Sequence, residues 1–315
     1  MSNKTYILQL VSPLVAMASL RTCTLLVVIF LIQPMSYILV DISMSKELKY
    51  EKRDKFSSSI HSNSITDTPS WLIGDVWEYD GYLDVSSFVA SSGASTSVDV
   101  VYGVLDRTVT DMYLLEIDNS STLVYEVISQ GTYQTNGAID VEGQTGCLIA
   151  NIEIFEIVLA SDLSTYSQEA EIEVFVDPAL FGICFPALRI DLAELTVKNT
   201  FNPPMEWYDF PLSVGESWNT NYSQSIEFSG TTNDLITIPI PENTTEDNSS
   251  SWEVVSRGYS GVSYTGCLQS YNITSYDRDG NMAGYRWYCP AIRGDIKTSL
   301  VQSFGFTLVN ELVSY

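Results

Sequence analysis

The tetrapeptide Thr-Gly-Cys-Leu occurs at 145–148 and again at 265–268. Each copy is followed, in one order, by a cysteine, a proline, an arginine and an acid. These are Cys184, Pro186, Arg189 and Asp191 after the first, and Cys289, Pro290, Arg293 and Asp295 after the second. Each copy is also preceded by a glycine, an acid and a tryptophan, as Gly74-Asp75-Val76-Trp77 and as Gly215-Glu216-Ser217-Trp218. Three markers recurring in one order describe a duplicated unit, which constrains the fold to two related halves.

Both halves read as strand. Residues 96–105 alternate and are rich in β-branched side chains, and the apolar runs 112–117 and 122–128 are bounded by Asp118-Asn119-Ser120 and by Gly131. Residues 148–159 form a long apolar run and 169–176 alternate. In the second half the same signals fall at 217–228, 235–240, 252–257, 266–276, 282–288, 295–303 and 307–314. Pro203 and Pro204 speak against a strand where the halves join, and the polar run 241–251 reads as an exposed loop. The predicted fold class is all-β: two tandem antiparallel β-sheet units, 71–205 and 206–315, after one N-terminal transmembrane or signal helix.

Cys147, Cys184, Cys267 and Cys289 lie in the repeated part, an even number at corresponding markers. In an oxidising compartment they make two disulfides, and a duplicated unit predicts that each half closes its own, Cys147–Cys184 and Cys267–Cys289. A zinc site is disfavoured, because there is no Cys-x-x-Cys pair and the one histidine, His61, lies in a Ser-rich linker.

The stretch 23–40 holds 18 residues without a charge, near the lower limit for crossing a bilayer as a helix. Residues 1–40 read as a signal anchor or signal peptide, the uncleaved anchor being preferred because no small-x-small site follows Val40, with Met17 as an alternative start. A charged, then Ser-rich linker covers 41–70. Lys46, Lys49, Lys52, Arg53 and Lys55 follow the apolar run, and the positive-inside tendency alone would hold the rest of the chain in the cytoplasm. The cysteine frame and the sequons at Asn119, Asn221, Asn243, Asn248 and Asn272 argue for export instead. The expected location is the cell membrane with the bulk of the chain outside, or secreted if the segment is cleaved.

Charge sharpens this. The chain has 15 basic and 39 acidic residues, of which seven and four lie in 1–55, so the remainder carries eight against 35, a net −27. Such a surface repels nucleic acid and stays soluble in a salty exterior.

Catalytic signals are poor. No histidine follows His61, so Ser-His-Asp and Cys-His sites are excluded, and no phosphate-cradling glycine loop is present. No cofactor is expected. Asp277 and Asp279, in Asp-Arg-Asp-Gly-Asn, resemble half of a calcium loop but lack its closing glutamate and read first as a hairpin turn. Arg189 and Arg293 each precede an acid by two residues, Asp191 and Asp295, and are expected to pair with it on one strand face. Trp77, Trp218 and Trp287 line a ligand groove if a sheet leaves its concave face open, and otherwise fill a core.

The second half resembles repeats of exported archaeal and bacterial β proteins of uncharacterised function. Those repeats open with Gly-Asp-x-Trp, carry Gly-x-Cys in a central strand and end in Tyr-x-Pro-x-x-Gly-x-Ile/Val-Lys. The corresponding residues here are Gly215 to Trp218, Gly266-Cys267, and Tyr288 to Lys297. The first half departs at Ile190, where the second has Gly294, and at Phe185, inserted before the proline. The resemblance implies a curved antiparallel sheet similar to the periplasmic lipoprotein-carrier (LolA-like) architecture, and it brings no catalytic residue.

The sequence thus points to an exported, membrane-tethered cell-surface protein that binds a partner or serves a structural role, without catalysis. The first alternative is a carrier of a lipid or other hydrophobic ligand on a curved sheet. The second, weaker alternative is a hydrolase using paired carboxylates. Expected partners are the membrane, through the N-terminal segment, and a lipid or surface protein.

Overall fold

The structure is a computed structural model that describes residues 67–84, 86, 99–141, 144–232, 242–276, 280–301 and 307–315. The expected N-terminal helix, most of the linker, and Asp277 and Asp279 lie outside these residues.

The described residues are all-β, with one short 3-10 turn at Pro186–Leu188 among them. The first half contains β1 (Val76–Asp84), β2 (Val100–Ile117), β3 (Ser120–Thr135), the short β4 (Ile139–Val141), β5 (Gln144–Leu159), β6 (Thr165–Leu180), the two-residue β7 (Ile183–Cys184) and β8 (Ile190–Met205). The second contains β9 (Ser217–Thr232), β10 (Thr244–Gly258), β11 (Ser270–Tyr276), β12 (Met282–Cys289), β13 (Gly294–Val301) and β14 (Thr307–Ser314).

These do not form two tandem sheets. Leaving aside β4 and β7, every strand pairs antiparallel with its neighbours in sequence, and β1 pairs with β14, so 12 strands close into one up-and-down barrel. The halves are its two sides, joined at β8–β9 and at β14–β1. The physical reason is edge satisfaction. Each six-stranded half alone leaves two rows of unpaired N–H and C=O groups, and closure pairs them all. Alternation in sequence reports which face of a strand is buried and nothing about which edge it meets.

The Gly-x-x-Trp markers are related by half a circuit of the barrel, opening β1 and β9, first and seventh in the ring. Gly74 (φ +92°) and Gly215 (φ +87°) adopt the left-handed conformation that glycine tolerates. Gly74 N–H donates to Val109 C=O, and Gly215 N–H to Val254 C=O, each at 2.8 Å. The acid after each glycine accepts a backbone N–H three residues back, Leu72 to Asp75 at 2.8 Å and Ser213 to Glu216 at 2.9 Å. The marker is therefore a strand-entry device used twice.

The cysteine markers do not share this relation. Cys147 and Cys184 bond at the end where β6 finishes, whereas Cys267 and Cys289 bond at the opposite end, where β1 begins. Each pairing closes within its own half, yet Cys147 lies near the start of the first half's fourth long strand and Cys267 precedes the second half's third. By loop-closure entropy the two bonds contribute about 4 and about 3 kcal/mol.

Two further expectations change. β8 runs through Pro203 and Pro204, because its pairing with β6 breaks register there and no ladder N–H is required. The polar run after Pro241 enters β10 at Thr244, with Asn248 and Ser250 buried and Thr245 and Asp247 exposed. Alternation was present there, but in polar side chains.

Inward side chains make several apolar clusters among the described residues, two of them large. Around the end where β1 begins, Trp71, Trp77, Tyr125, Tyr208, Trp218, Trp252, Tyr271 and Tyr288 pack together. Ile152, Ile154, Ile172, Val174, Leu195 and Val197 form the second, between β5, β6 and β8. Gly103 lets the Tyr133 ring lie across the strand, since a Cβ there would sit 2.4 Å from that ring.

Candidate functional site

Three regions carry chemistry. The first is inside the barrel, where Arg286 is buried under aromatic rings. Its guanidinium carbon lies 4.6 Å from the Trp207 centroid, 5.1 Å from that of Tyr208 and 5.6 Å from that of Trp252, and its Nη1 is 3.7 Å from Asp295 Oδ2. Tyr79 Oη donates to the Asp295 backbone C=O at 2.9 Å. Burial first, and then the Asp295 charge, push the Tyr79, Tyr208 and Tyr288 hydroxyls well above the usual tyrosine range. These hydroxyls hold their protons at neutral pH, so none of the three serves as a phenolate base. Arg107–Glu156 at 2.9 Å, with Gln168 Nε2 donating to Glu156 at 3.2 Å, forms a second interior polar group. Asn199, Gln224 and Asn248 form a third, at 3.0 and 3.2 Å. Each brings buried polar groups into contact with one another inside the barrel.

The second region is a groove of about 790 Å³ on the outer wall, over β2, β3, β5, β6 and β8. Strand register builds it from two adjacent rows. One runs Asp106, Gln130, Glu153, Glu171, Thr196; the next runs Val104, Thr132, Asn151, Glu173, Glu194. Glu153 stands directly opposite Glu171, and Glu173 opposite Glu194, at strand spacings of about 4.8 Å. Like charges so placed destabilise a sheet. Gln130 Nε2 donates to Glu153 at 2.8 Å and Asn151 Nδ2 to Glu173 at 3.4 Å. Among the described residues, none of the five carboxylates in these rows forms an ion pair.

The third region is the β6–β7 hairpin at the end opposite the start of β1. Its turn is Phe181-Gly182, with Leu180, Ile183 and Leu188 beside it, all exposed.

The residues singled out in the sequence are dispersed. Trp77 is 1% exposed, and its Nε1 donates to Ile292 C=O at 2.9 Å. Trp218 is 7% exposed and stacks on Trp252 at 6.2 Å. Both are core residues. Trp287 is half-buried on the opposite strand face from Arg286, between Asn272 and Lys297 in the ladder. The three do not line a common groove.

Arg189 pairs with Asp177, not Asp191, through two hydrogen bonds of 2.8 and 3.0 Å. Arg293 pairs with Asp75 at 2.7 Å and reaches Ser70 C=O at 2.8 Å and the Tyr315 hydroxyl, while Asp295 faces Arg286. Arg189 therefore ties the entry to β8 to the neighbouring β6, and Arg293 latches the entry to β1 onto the β12–β13 turn, with Trp71 Nε1 donating to its C=O at 2.7 Å.

Asn119, Asn221 and Asn243 are exposed, Asn272 is half-buried, and Asn248 is 6% exposed with its amide inside the barrel, so the folded chain cannot be glycosylated at Asn248.

Sequence reasoning missed the Arg286 cage, the carboxylate rows and the hairpin tip. The first two depend on register. The tip left a signal in Phe-Gly between two pairing segments, a turn dipeptide with an aromatic in place of Asn or Asp. No family model matches the chain, and no curated protein or solved structure matches it.

Proposed function

We propose that this chain is an exported, membrane-tethered binding domain that takes an extended cationic segment along its acidic outer groove. The observation that carries the reading is the pair of carboxylate rows. Five acids converge on one concave wall without a lysine or arginine partner, in an arrangement that costs the sheet stability and that a cationic ligand would relieve. Along β6, Glu171 and Glu173 stand about 6.7 Å apart on one face, the spacing of charges on every second residue of an extended ligand. Two disulfides support an oxidising exterior. The wall's outward side chains also include Glu169 and Lys198, which do not form a lipid-facing band. The tether is the N-terminal apolar segment. Catalysis has no support in the groove, which pairs carboxylates with amides and threonines and lacks a nucleophile–base couple.

The test is calorimetric titration of the full chain, in mild detergent, with an oligolysine peptide and with a neutral peptide of equal length. Binding of oligolysine alone, weakened by salt and by the double change Glu171→Gln, Glu173→Gln by about ten-fold or more, supports the proposal. Absence of binding at low salt, or equal binding by the double variant, refutes it.

A further inference from the structure

The β6–β7 hairpin has no role in the groove, and it breaks three local rules at once. Phe181 (φ +54°) and Gly182 (φ +78°) form a two-residue turn with both central residues left-handed, a geometry that selects Asn-Gly or Asp-Gly. A bulky aromatic there is strained. Phe181 is also 103% exposed, so the strain secures no packing within the chain. Leu180, Ile183 and Leu188 are each more than half exposed around it.

The base of the hairpin, in contrast, is fixed. Cys184 is bonded to Cys147 on β5, Phe185 N–H donates to Pro178 C=O at 3.0 Å, and Arg189 clamps Asp177. A rigid stem thus holds four apolar side chains in water. Positions that violate local preference without a compensating contact mark function.

We propose that this tip inserts into the interfacial layer of an uncharged lipid bilayer. Size and charge select that occupant. Among the described residues the tip offers four side chains, far short of the 20–30 residues a side, about 800 Å² per partner, that a stable protein interface or self-association requires. A bilayer needs no complementary surface, and a few apolar side chains suffice. Among the described residues the cation beside the tip, Arg189, is committed to Asp177, and the chain carries a net charge of −24, so anionic headgroups are not what draws it. The tip lies at the end of the barrel opposite residue 67, where the described chain begins.

The experiment reconstitutes the full chain into phosphatidylcholine vesicles and measures hydrogen exchange of the backbone amides at 179–188. The exposed β2–β3 turn at Asp118-Asn119, at the other end of the barrel, serves as internal reference. Wild type is compared with Phe181→Asp and Phe181→Asn in the same vesicles, so the N-terminal segment contributes equally throughout. Asn tolerates the left-handed turn, so Phe181→Asn removes the apolar group while easing strain, and its thermal transition must be no lower than that of wild type.

The expected result is tip exchange at least about five-fold slower in wild type than in either variant, with the reference turn unchanged. Equal exchange in all three chains overturns the proposal. So does protection in wild type that disappears on diluting protein within the membrane, which would identify a second copy as the occupant.

Discussion

The repeated tryptophans offer a comparison whose outcome follows from the structure alone. Trp77 and Trp218 occupy equivalent places half a barrel apart, and both are nearly inaccessible. They differ in one atom's surroundings. The Trp77 Nε1 donates to Ile292 C=O at 2.9 Å, whereas the buried Trp218 Nε1 has no hydrogen-bond partner among the described residues. Replacing Trp77 with Phe therefore removes a net contribution of about 1 kcal/mol and leaves a buried carbonyl unsatisfied at about 1–3 kcal/mol. Added to the lost volume, the cost is about 3 kcal/mol. Replacing Trp218 with Phe also loses volume but removes a donor already buried without a partner. That offset leaves a cost of about 1 kcal/mol or less. The gap of about 2 kcal/mol is roughly 30-fold in the folding equilibrium and large beside a stability of about 5–15 kcal/mol. Guanidinium unfolding of both variants with disulfides intact, followed by far-ultraviolet circular dichroism and by fluorescence, gives it as a midpoint difference at constant slope. A Trp218→Phe loss equal to or larger than that of Trp77→Phe would refute the reasoning.

Four shorter tests accompany it. The paired hydrogen bonds from Arg189 hold Asp177 below the usual carboxylate range against the opposing effect of burial. The stability they add is therefore full above about pH 4 and lost as pH falls through the lowered value, so Asp177→Asn and wild type should differ near neutrality and converge in acid. Burial pushes Tyr133 up to about 12, and Tyr79, Tyr208 and Tyr288 are also raised. Their contribution is complete below about pH 10 and declines above it, so tyrosinate absorbance should rise in a second step coincident with unfolding; simple titration of all 19 tyrosines near pH 10 in the folded chain would contradict this. Glu171→Gln or Glu173→Gln should leave the free chain as stable or up to about 1 kcal/mol more stable, by relieving like charges across strands, and a loss of stability in thermal melts would argue against unrelieved repulsion. In a glycosylating host, peptide mapping should find no glycan at Asn248, and Asn248→Ala should cost about 1–3 kcal/mol because Gln224 Oε1 loses the Asn248 amide that donates to it inside the barrel.

Why strands form is written locally in the chain, and so is much of how they begin. Alternation along 100–105 and 169–176, turn residues at Asp118-Asn119 and the paired Gly-x-x-Trp entries depend on backbone sterics and side-chain periodicity within a few residues. The pairings Cys147–Cys184 and Cys267–Cys289 followed from the reasoning that each half closes its own bond. Local rules misled where the ladder itself set the terms. Polar β10 is strand because β9 pairs with it, and Pro203-Pro204 are accommodated where β6 and β8 fall out of register.

Closure, register and the site belong to the tertiary structure. A strand's sequence states which residues face inward, but a six-stranded half can meet a copy of itself, the other half or solvent with the same pattern. Only pairing β1 with β14 and β8 with β9 decides among them. Register then brings Glu153 against Glu171, and Glu173 against Glu194, residues that their separate strands present merely as exposed acids. The same geometry directs Arg189 and Arg293 to carboxylates on other strands instead of the acids two residues away. Charge and apolar side chains are thus allotted by the sequence, whereas their concentration into a groove at one wall and a tip at one end arises from hydrogen bonds between strands far apart along the chain.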